Sequence, residues 1–295
     1  MRIGVIFPQG ELQLSAAEIR QYALAVESLG YHHILLFDHV VGTVPEAIDY
    51  VPRTQYTHES TFQEVFVLLG YLAALTTRIE LATGVLVLPQ RQAAVVAKQA
   101  AQVDCLSSGR FRLGVGSGWN PGEYGALGME FHNRGQRLDE QVELLRLFWT
   151  QAVVNFEGRH HVVRQAGINP LPIQRPIPIW FGGDTPRALQ RMARLGDGWI
   201  CRLTSGSDQI LQIGKQLSWI HEAMRTAGRD PGRFGLEGHM RLDKSLEALQ
   251  GEIACWRDIG ATHLALRTTG MGFTSLDQHI ACLERVRRMI DSFQA

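Results

Sequence analysis

The amino-acid sequence predicts an α/β fold: a (β/α)8 TIM barrel with insertions after strands two and four and a hairpin before strand five. Three observations carry this expectation. Strand-like and helix-like stretches alternate eight times, with no all-helical or all-β block between them. Strand stretches such as ILLF at Ile34–Phe37 are apolar throughout, the mark of parallel strands buried on both faces. The 295 residues suit one barrel of roughly 250 residues plus insertions, so residues 1–295 are taken as a single domain. A doubly wound open sheet is the alternative, because periodicity does not reveal closure.

Each element has a local reason. Arg2–Pro8 is strand one, and its helix opens on the capping box Ser15-Ala-Ala-Glu18 and ends at Gly30. Ile34–His39 is strand two; a polar, Pro/Gly-bearing insertion (Val41–Ser60) precedes a helix over Thr61–Thr76. Ile79–Leu88 is strand three, with a helix over Ala93–Leu106 stopped by Ser107-Ser108-Gly109. Phe111–Gly116 is strand four, followed by the loop Ser117–Asn133 and a helix over Gly135–Thr150. Val153–Val163 turns at Glu157-Gly158 and reads as the inserted hairpin. Strand five, Ile177–Phe181, lies between Pro176/Pro178 and Gly182-Gly183, with Thr185 as N-cap and Pro186 at the first helical position. Strands six to eight are Trp199–Leu203, Phe234–Leu242 and Thr262–Arg267. Their helices cover Asp208–Ala227, Ser245–Asp258 and Ser275–Phe293, the last opened by Ser275-Leu-Asp-Gln278.

Composition excludes several classes. Lys+Arg and Asp+Glu number 29 each, which gives no support for nucleic-acid or acidic-membrane partners. No stretch approaches the roughly 18 apolar residues of a membrane span, and the start MRIGVIFPQGE lacks the apolar run of a signal peptide. Cys105, Cys201, Cys255 and Cys282 stand singly, as reduced thiols of a cytoplasmic protein do. His32-His33 and His160-His161 are adjacent pairs whose rings point apart in a strand, so no metal site is expected.

Active sites of barrels sit at the C-terminal ends of the strands. Eight segments therefore matter: Gln9–Glu11, Asp38-His39, Thr83–Pro89, Gly116–Glu123, Gly182–Thr185, Arg202–Ser205, Gly238–Arg241 and Arg267–Thr269. Asp38 and His39 close an apolar strand, where two polar residues are costly unless exposed at the rim or paired. A His there can donate a hydrogen bond or move a proton near neutral pH; a satisfied rim pair is the competing reading. Gly182-Gly183-Asp184-Thr185 leaves backbone N–H groups bare at a helix N-terminus, an anion site or an ordinary β–α turn. Gly114, Gly116 and Gly118 lack the following helix of a dinucleotide fingerprint; they read as room for a flat ligand, and Gly84 as a bulge or close approach.

The segments DH (Asp38-His39), TGVLVLPQR (Thr83–Arg91), LSSGRFRLGVGSGWNPGEYGALG (Leu106–Gly128), FEGRHH with NPLPIQRPIPIWFGG (Phe156–Gly183) and RMARLGDGW (Arg191–Trp199) occur together and in order. In these motifs the chain resembles the luciferase-like monooxygenase superfamily, and is most similar to its deazaflavin (coenzyme F-420)-dependent oxidoreductase branch. The resemblance implies a barrel holding F-420, or FMN, at the C-terminal mouth. It places the cofactor phosphate at Gly182, Gly183, Asp184 and Thr185, and a non-proline cis peptide behind the ring at or beside Gly84–Val85, next to Thr83. It assigns ring contact and hydride-transfer chemistry to Asp38 and His39, and cofactor lining to Gly116, Gly118 and Asn120. A homodimer acting on a small organic substrate is also implied.

Two alternatives keep the fold: an FMN-dependent monooxygenase fed by a separate reductase, and a non-catalytic flavin-binding paralogue. Thr43 and Trp119 stand where the deazaflavin-dependent sugar-phosphate dehydrogenases carry a Trp and an acid, which weakens transfer of their acid–base scheme and of their substrate. Glu11 lies near the position of their strand-one acid. Val41–Ser60 and Asn120–Asn133 are expected to form the lid and walls of the mouth. Tyr50, Tyr56, Trp119, Tyr124 and Phe131 either face an organic substrate there or pack the loops down.

Overall fold

The structure, a computed structural model, describes residues 1–44 and 56–294. Eight parallel strands form the barrel: β1 (Arg2–Ile6), β2 (His33–Leu36), β3 (Glu80–Thr83), β5 (Phe111–Gly116), β8 (Ile179–Gly182), β9 (Gly198–Leu203), β10 (Gly235–Arg241) and β11 (His263–Arg267). The ring closes where β11 pairs with β1 and β3 with β5, so the barrel holds and the open sheet does not. Around it run α1 (Ala16–Ser28), α2 (Val65–Leu75), α3 (Ala93–Leu106), α5 (Arg134–Thr150), α6 (Pro186–Leu195), α7 (Ser207–Thr226), α8 (Leu246–Asp258) and α9 (Leu276–Gln294). No helix among the described residues is long and apolar enough to cross a membrane.

Local signals place most ends. Ser15 and Glu18 form the reciprocal capping box of α1, and the Thr185 side chain accepts from Ala188 N–H at the start of α6. The hairpin is β6 (Val154–Glu157) against β7 (Val162–Ala166).

Three features depart from the sequence reading. Strand three is broken: β3 and β4 (Leu86–Val87) flank a cis peptide at Gly84–Val85, where the resemblance placed it. α2 starts at Val65, because Glu64 rather than Thr61 serves as its cap. The loop after strand four contains a short helix, α4 (Pro121–Ala126), capped by Asn120. Of the insertion after strand two, residues 45–55, Tyr50 among them, lie outside the described residues.

Strand alternation divides the interior. Outward residues such as Val5, Leu36, Leu113, Ile179 and Leu236 join the helices in the main core. Each such side chain contributes roughly 1.5–3 kcal/mol when fully buried. Inside the barrel, Ile6, Leu35, Ala82 and Ala265 form a small apolar plug under Phe37. Towards the strand N-termini lies an ionic layer. Glu237 accepts from Arg112 Nη1 at 2.6 Å and sits 2.6 Å from His33 Nε2; Arg112 Nε also donates to Glu80 at 2.9 Å. The Arg112 guanidinium lies 4.2 Å over the Trp180 ring. Burial pushes the Glu237 carboxyl up, but Arg112 and His33 outweigh it and hold it well below the ordinary carboxylate range.

Candidate active site at the barrel mouth

β2 ends at Leu36, and the chain then carries Asp38 and His39 onto the mouth. Asp38 is 3% exposed, and both its oxygens are engaged. One accepts from Val87 N–H at 2.9 Å and the other from Arg91 Nη2 at 2.7 Å. Asp38 therefore clamps the end of β2 to the far side of the strand-three bulge; its carboxylate faces protein partners.

His39 differs. Its Nδ1 is buried without a hydrogen-bond partner, 3.9 Å from Glu123 Oε2. Glu123 comes from α4 and is 1% exposed. It accepts from Val40 N–H at 2.7 Å and from Gln90 Nε2 at 3.0 Å. Burial pushes the Glu123 carboxyl up, yet the His39 imidazole, the Gln90 amide and the Val40 N–H together hold it below its ordinary value. A buried carboxylate thus stands beside the imidazole although the position after the strand-four glycines is Trp119. Asn120-Pro-Gly-Glu123 has the spacing of a capping box. Asn120 does cap α4, through Gly122 and Glu123 N–H, but the Glu123 side chain turns across to β2. That pattern was the available signal, and it pointed to a helix start.

Aromatic rings enclose His39. Tyr56 stacks on it at 3.3 Å between centroids, Phe62 meets it edge-on at 4.8 Å, and Trp119 lies 5.3 Å from Tyr56. Tyr124 and Phe131 instead pack on each other at 5.3 Å, and the Tyr124 hydroxyl donates to Ser117 O at 2.7 Å. The two readings of the aromatic residues therefore divide: Tyr56 and Trp119 gather at His39, while Tyr124 and Phe131 hold their loop down.

The glycines facing the bulge serve a different end from the one expected. A Cβ on Gly116 would lie 2.6 Å from Val85 Cγ2, and one on Gly182 would lie 2.9 Å from Val85 Cγ1. A Cβ on Gly118 would meet Val87 Cγ1 at 2.5 Å, and one on Gly84 would meet Leu35 at 2.4 Å. The room read as space for a flat ligand is taken by Val85 and Val87, so these glycines let the bulge seat between β5 and β8. Thr83 is likewise engaged, its hydroxyl donating to Gly114 O at 2.7 Å.

At the β8–α6 turn, Gly183 adopts φ +110°, a conformation that favours glycine. Its carbonyl accepts from Trp199 Nε1 at 2.8 Å. Asp184 pairs with Arg202 at 3.0 Å, and Arg202 is 79% exposed. The helix N-terminus, the Gly182-Gly183 turn and this exposed cation fit an anion such as a phosphate.

The opposite wall belongs to β1, β10 and β11. Gln9 Oε1 accepts from Phe37 N–H at 2.8 Å, leaving Gln9 Nε2 buried and unpaired. Glu11 accepts from Gly270 N–H and ties the first loop to the last. His239 is 5% exposed with Nε2 unpaired, and burial pushes its pKa down to about 4. Buried polar atoms without partners cost about 1–3 kcal/mol each. Gln9 Nε2 and His239 Nε2 lie on an inward strand or at a strand end, and such groups suit the polar edges of a bound ring system or substrate.

A cavity of about 470 Å³ opens at the other, N-terminal end, lined by Arg2, Arg112, Trp180, Arg229 and His263 among others. Four of its arginines have partners: Arg2 and Arg112 hold Glu80, Arg110 donates to the Thr76 carbonyl at 2.8 Å, and Arg229 donates to the carbonyls ending α6. Among the described residues no three His, Cys, Asp or Glu side chains converge as a metal site.

The sequence profile of the luciferase-like monooxygenase family matches residues 1–275. The chain belongs to that family. An uncharacterised protein of Mycobacterium tuberculosis is 37% identical over 183 residues, 60% of this chain and 62% of the relative. The F420-dependent glucose-6-phosphate dehydrogenase of Kineococcus radiotolerans is 29% identical over 75% of this chain and 62% of its own length. The chain thus spans about 62% of the length of these relatives. The monooxygenase RslO1 from Streptomyces bottropensis shares the fold with a TM-score of 0.79 at 21% identity, each chain covered in full. Members of the family are oxidoreductases or monooxygenases, and the chain's homologues include F-420-dependent ones.

Proposed function

We propose that the protein is an oxidoreductase that uses coenzyme F-420 to exchange a hydride with a small organic substrate at the barrel mouth. One observation carries the reading: His39 Nδ1 stands unpaired beside the buried Glu123 carboxylate at the end of β2. An imidazole with a carboxylate beside one nitrogen keeps the other nitrogen free to take or give a proton. The 29% identity to an F420-dependent dehydrogenase supports the choice of cofactor.

Bound at the mouth, the deazaflavin would supply the hydride chemistry. Gly182, Gly183, Asp184 and Thr185 would hold its phosphate; Asn120 and the Thr83–Val85 bulge, seated against Gly116 and Gly118, would back its ring. His39 relays the proton that balances the hydride at a substrate oxygen. Glu123 orients His39, and Asp38 positions the bulge. Tyr56 covers His39 and must shift for a ring to approach it.

The second reading is an FMN-dependent monooxygenase with a separate reductase, since the same phosphate turn suits FMN and RslO1 is a monooxygenase. A cytoplasmic homodimer, with residues 1–295 as one barrel domain, completes the proposal; sedimentation of the purified chain tests the dimer. Fluorescence quenching with F-420 and with FMN decides the cofactor. Tighter F-420 binding is expected. Tighter FMN binding selects the second reading, and binding of neither leaves a non-catalytic paralogue. On a substrate found by following F-420 absorbance, His39→Ala should lower kcat about 100-fold or more, with cofactor affinity nearly unchanged. Full turnover in that variant removes the role of His39.

A further inference from the structure

At the end of β1 a side chain takes over a place in the backbone ladder. β1 and β2 pair in register, Val5 with Ile34 and Ile6 with Leu35, and Phe7 N–H then donates to Leu35 O at 2.9 Å. The next donor in line is Phe37 N–H. Phe7 O, however, accepts from Gln9 N–H at 2.7 Å, and Phe37 N–H donates to Gln9 Oε1 at 2.8 Å instead. That bond fixes how the carboxamide is turned. A backbone N–H is satisfied only by an acceptor, so the amide oxygen faces Phe37 and the amide nitrogen faces away. Gln9 is 4% exposed, and its Nε2 has no acceptor among the described residues. The position therefore presents two N–H donors, with its acceptor already committed.

Three contacts set this donor on the His39 side of the mouth. Its partner Phe37 stands two residues before His39. Gly10, at φ +90°, packs on Phe62: a Cβ there would lie 3.2 Å from Phe62 Cζ. Phe62 in turn meets the His39 ring at 4.8 Å. Around the eight-strand ring β1 is the neighbour of β2 and lies four strands from β8 in either direction. Gln9 therefore stands beside His39 and across the mouth from the anion-binding turn.

We propose that the Gln9 amide donates a hydrogen bond to the reacting oxygen of the substrate, the oxygen that exchanges its proton with His39. The inference rests on the proton-relay role given to His39. The chemistry is complementary. When a carbonyl carbon takes a hydride from the reduced deazaflavin, the π electron pair moves onto its oxygen, and His39 supplies the proton that completes the alcohol. A group that only donates stabilises that oxygen as its charge builds and does not compete for the proton. In reverse, the alcohol gives its proton to His39 and its hydride to the oxidised cofactor. The substrate is accordingly a carbonyl compound or the matching alcohol.

Cyclohexanone is the probe, with methylenecyclohexane as its counterpart lacking the oxygen. Both are titrated by calorimetry into the full-length chain loaded with oxidised F-420, which has no hydride to give. Wild type should bind the ketone about fivefold to tenfold more tightly than the alkene. Gln9→Glu keeps an oxygen for Phe37 N–H but replaces the donor with an acceptor. It should lose that preference at about pH 8 and regain part of it at about pH 5, where a protonated carboxyl can donate. A role confined to holding Phe37 would not give this pH dependence. His39, Glu123, Asp38 and Arg91 are unchanged in the variant, so comparison with wild type at each pH removes their titration. Gln9→Met, with neither group, should lose the preference at both pH values, and F-420 affinity should stay near wild type in both variants. Equal binding of ketone and alkene by wild type, including none of either, overturns the proposal. So does a preference that both variants keep. A loss of F-420 affinity in both variants also overturns it, because the donor then serves the cofactor. Should wild type fail to bind F-420 at all, the functional reading falls, and the same titrations of the cofactor-free chain still decide Gln9.

Discussion

The two ends of the barrel interior draw on the same residue types, His, Arg and Glu, and use them in opposite ways. At the N-terminal end each carboxylate meets a cation within 2.9 Å: Glu237 with Arg112 and His33, Glu80 with Arg112 and Arg2. At the mouth Asp38 and Glu123 are held as firmly, but among the described residues Arg267 makes no ion pair within 4 Å, Glu11 acting on it only from farther away, and His39, His239 and Gln9 keep an unpaired nitrogen. The N-terminal layer also retains unpaired atoms, His33 Nδ1 and Arg112 Nη2, the latter in a guanidinium stacked on Trp180. The difference lies in net pairing of charge. A paired network resists opening and has little left for a ligand; an incompletely paired one is destabilised alone and stabilised by what it binds.

Breaking the N-terminal layer should have the largest effect. Arg112→Met leaves Glu237 and Glu80 short of their cation, so urea unfolding should show a loss of about 3–5 kcal/mol. A loss under about 1 kcal/mol would mean that the layer is not what stiffens that end. The next effect is on pH. Burial pushes His239 down to about 4 and His263 down to about 3, below an unfolded value of about 6.5. Glu237, Arg267, His33 and Arg112 are the charged or titratable groups acting on His239.

The folded chain then binds fewer protons than the unfolded one, so stability is fully present above about pH 6.5 and falls as pH drops towards 4. His239→Gln should flatten that fall by on the order of 3 kcal/mol between pH 7 and 4. An unchanged slope would show that His239 is not the buried neutral base. The smallest effect is the most local. Glu123→Gln should lower kcat about tenfold with KM and unfolding temperature little changed, as expected for a group acting through His39. Equal damage to F-420 affinity would make Glu123 a loop anchor instead.

Much of the fold was legible because its causes are local. The box at Ser15–Glu18, the Thr185-Pro186 helix start and the strand Phe111–Gly116 depend on neighbours in sequence, and all stand where expected. The site was legible as positions rather than as contacts. Asp38 and His39 do stand at the mouth, two and three residues past the end of β2 at Leu36, yet nothing in the two residues says that one is clamped and the other free. Glu123 was missed because its partner, His39, lies on another strand and its spacing mimics a helix cap. The strand-four glycines were assigned to a ligand because the sequence does not show Val85 filling them.

By itself the sequence determined the alternation of strands and helices, the helix starts, and which residues stand at strand ends. Alternation and capping are properties of a few consecutive residues. Only the tertiary structure decided that the ring closes, that Arg241 and Arg267 share one rung of the ladder, and which polar atoms find partners. Those outcomes depend on the register between segments far apart in the chain, and on what burial leaves unpaired.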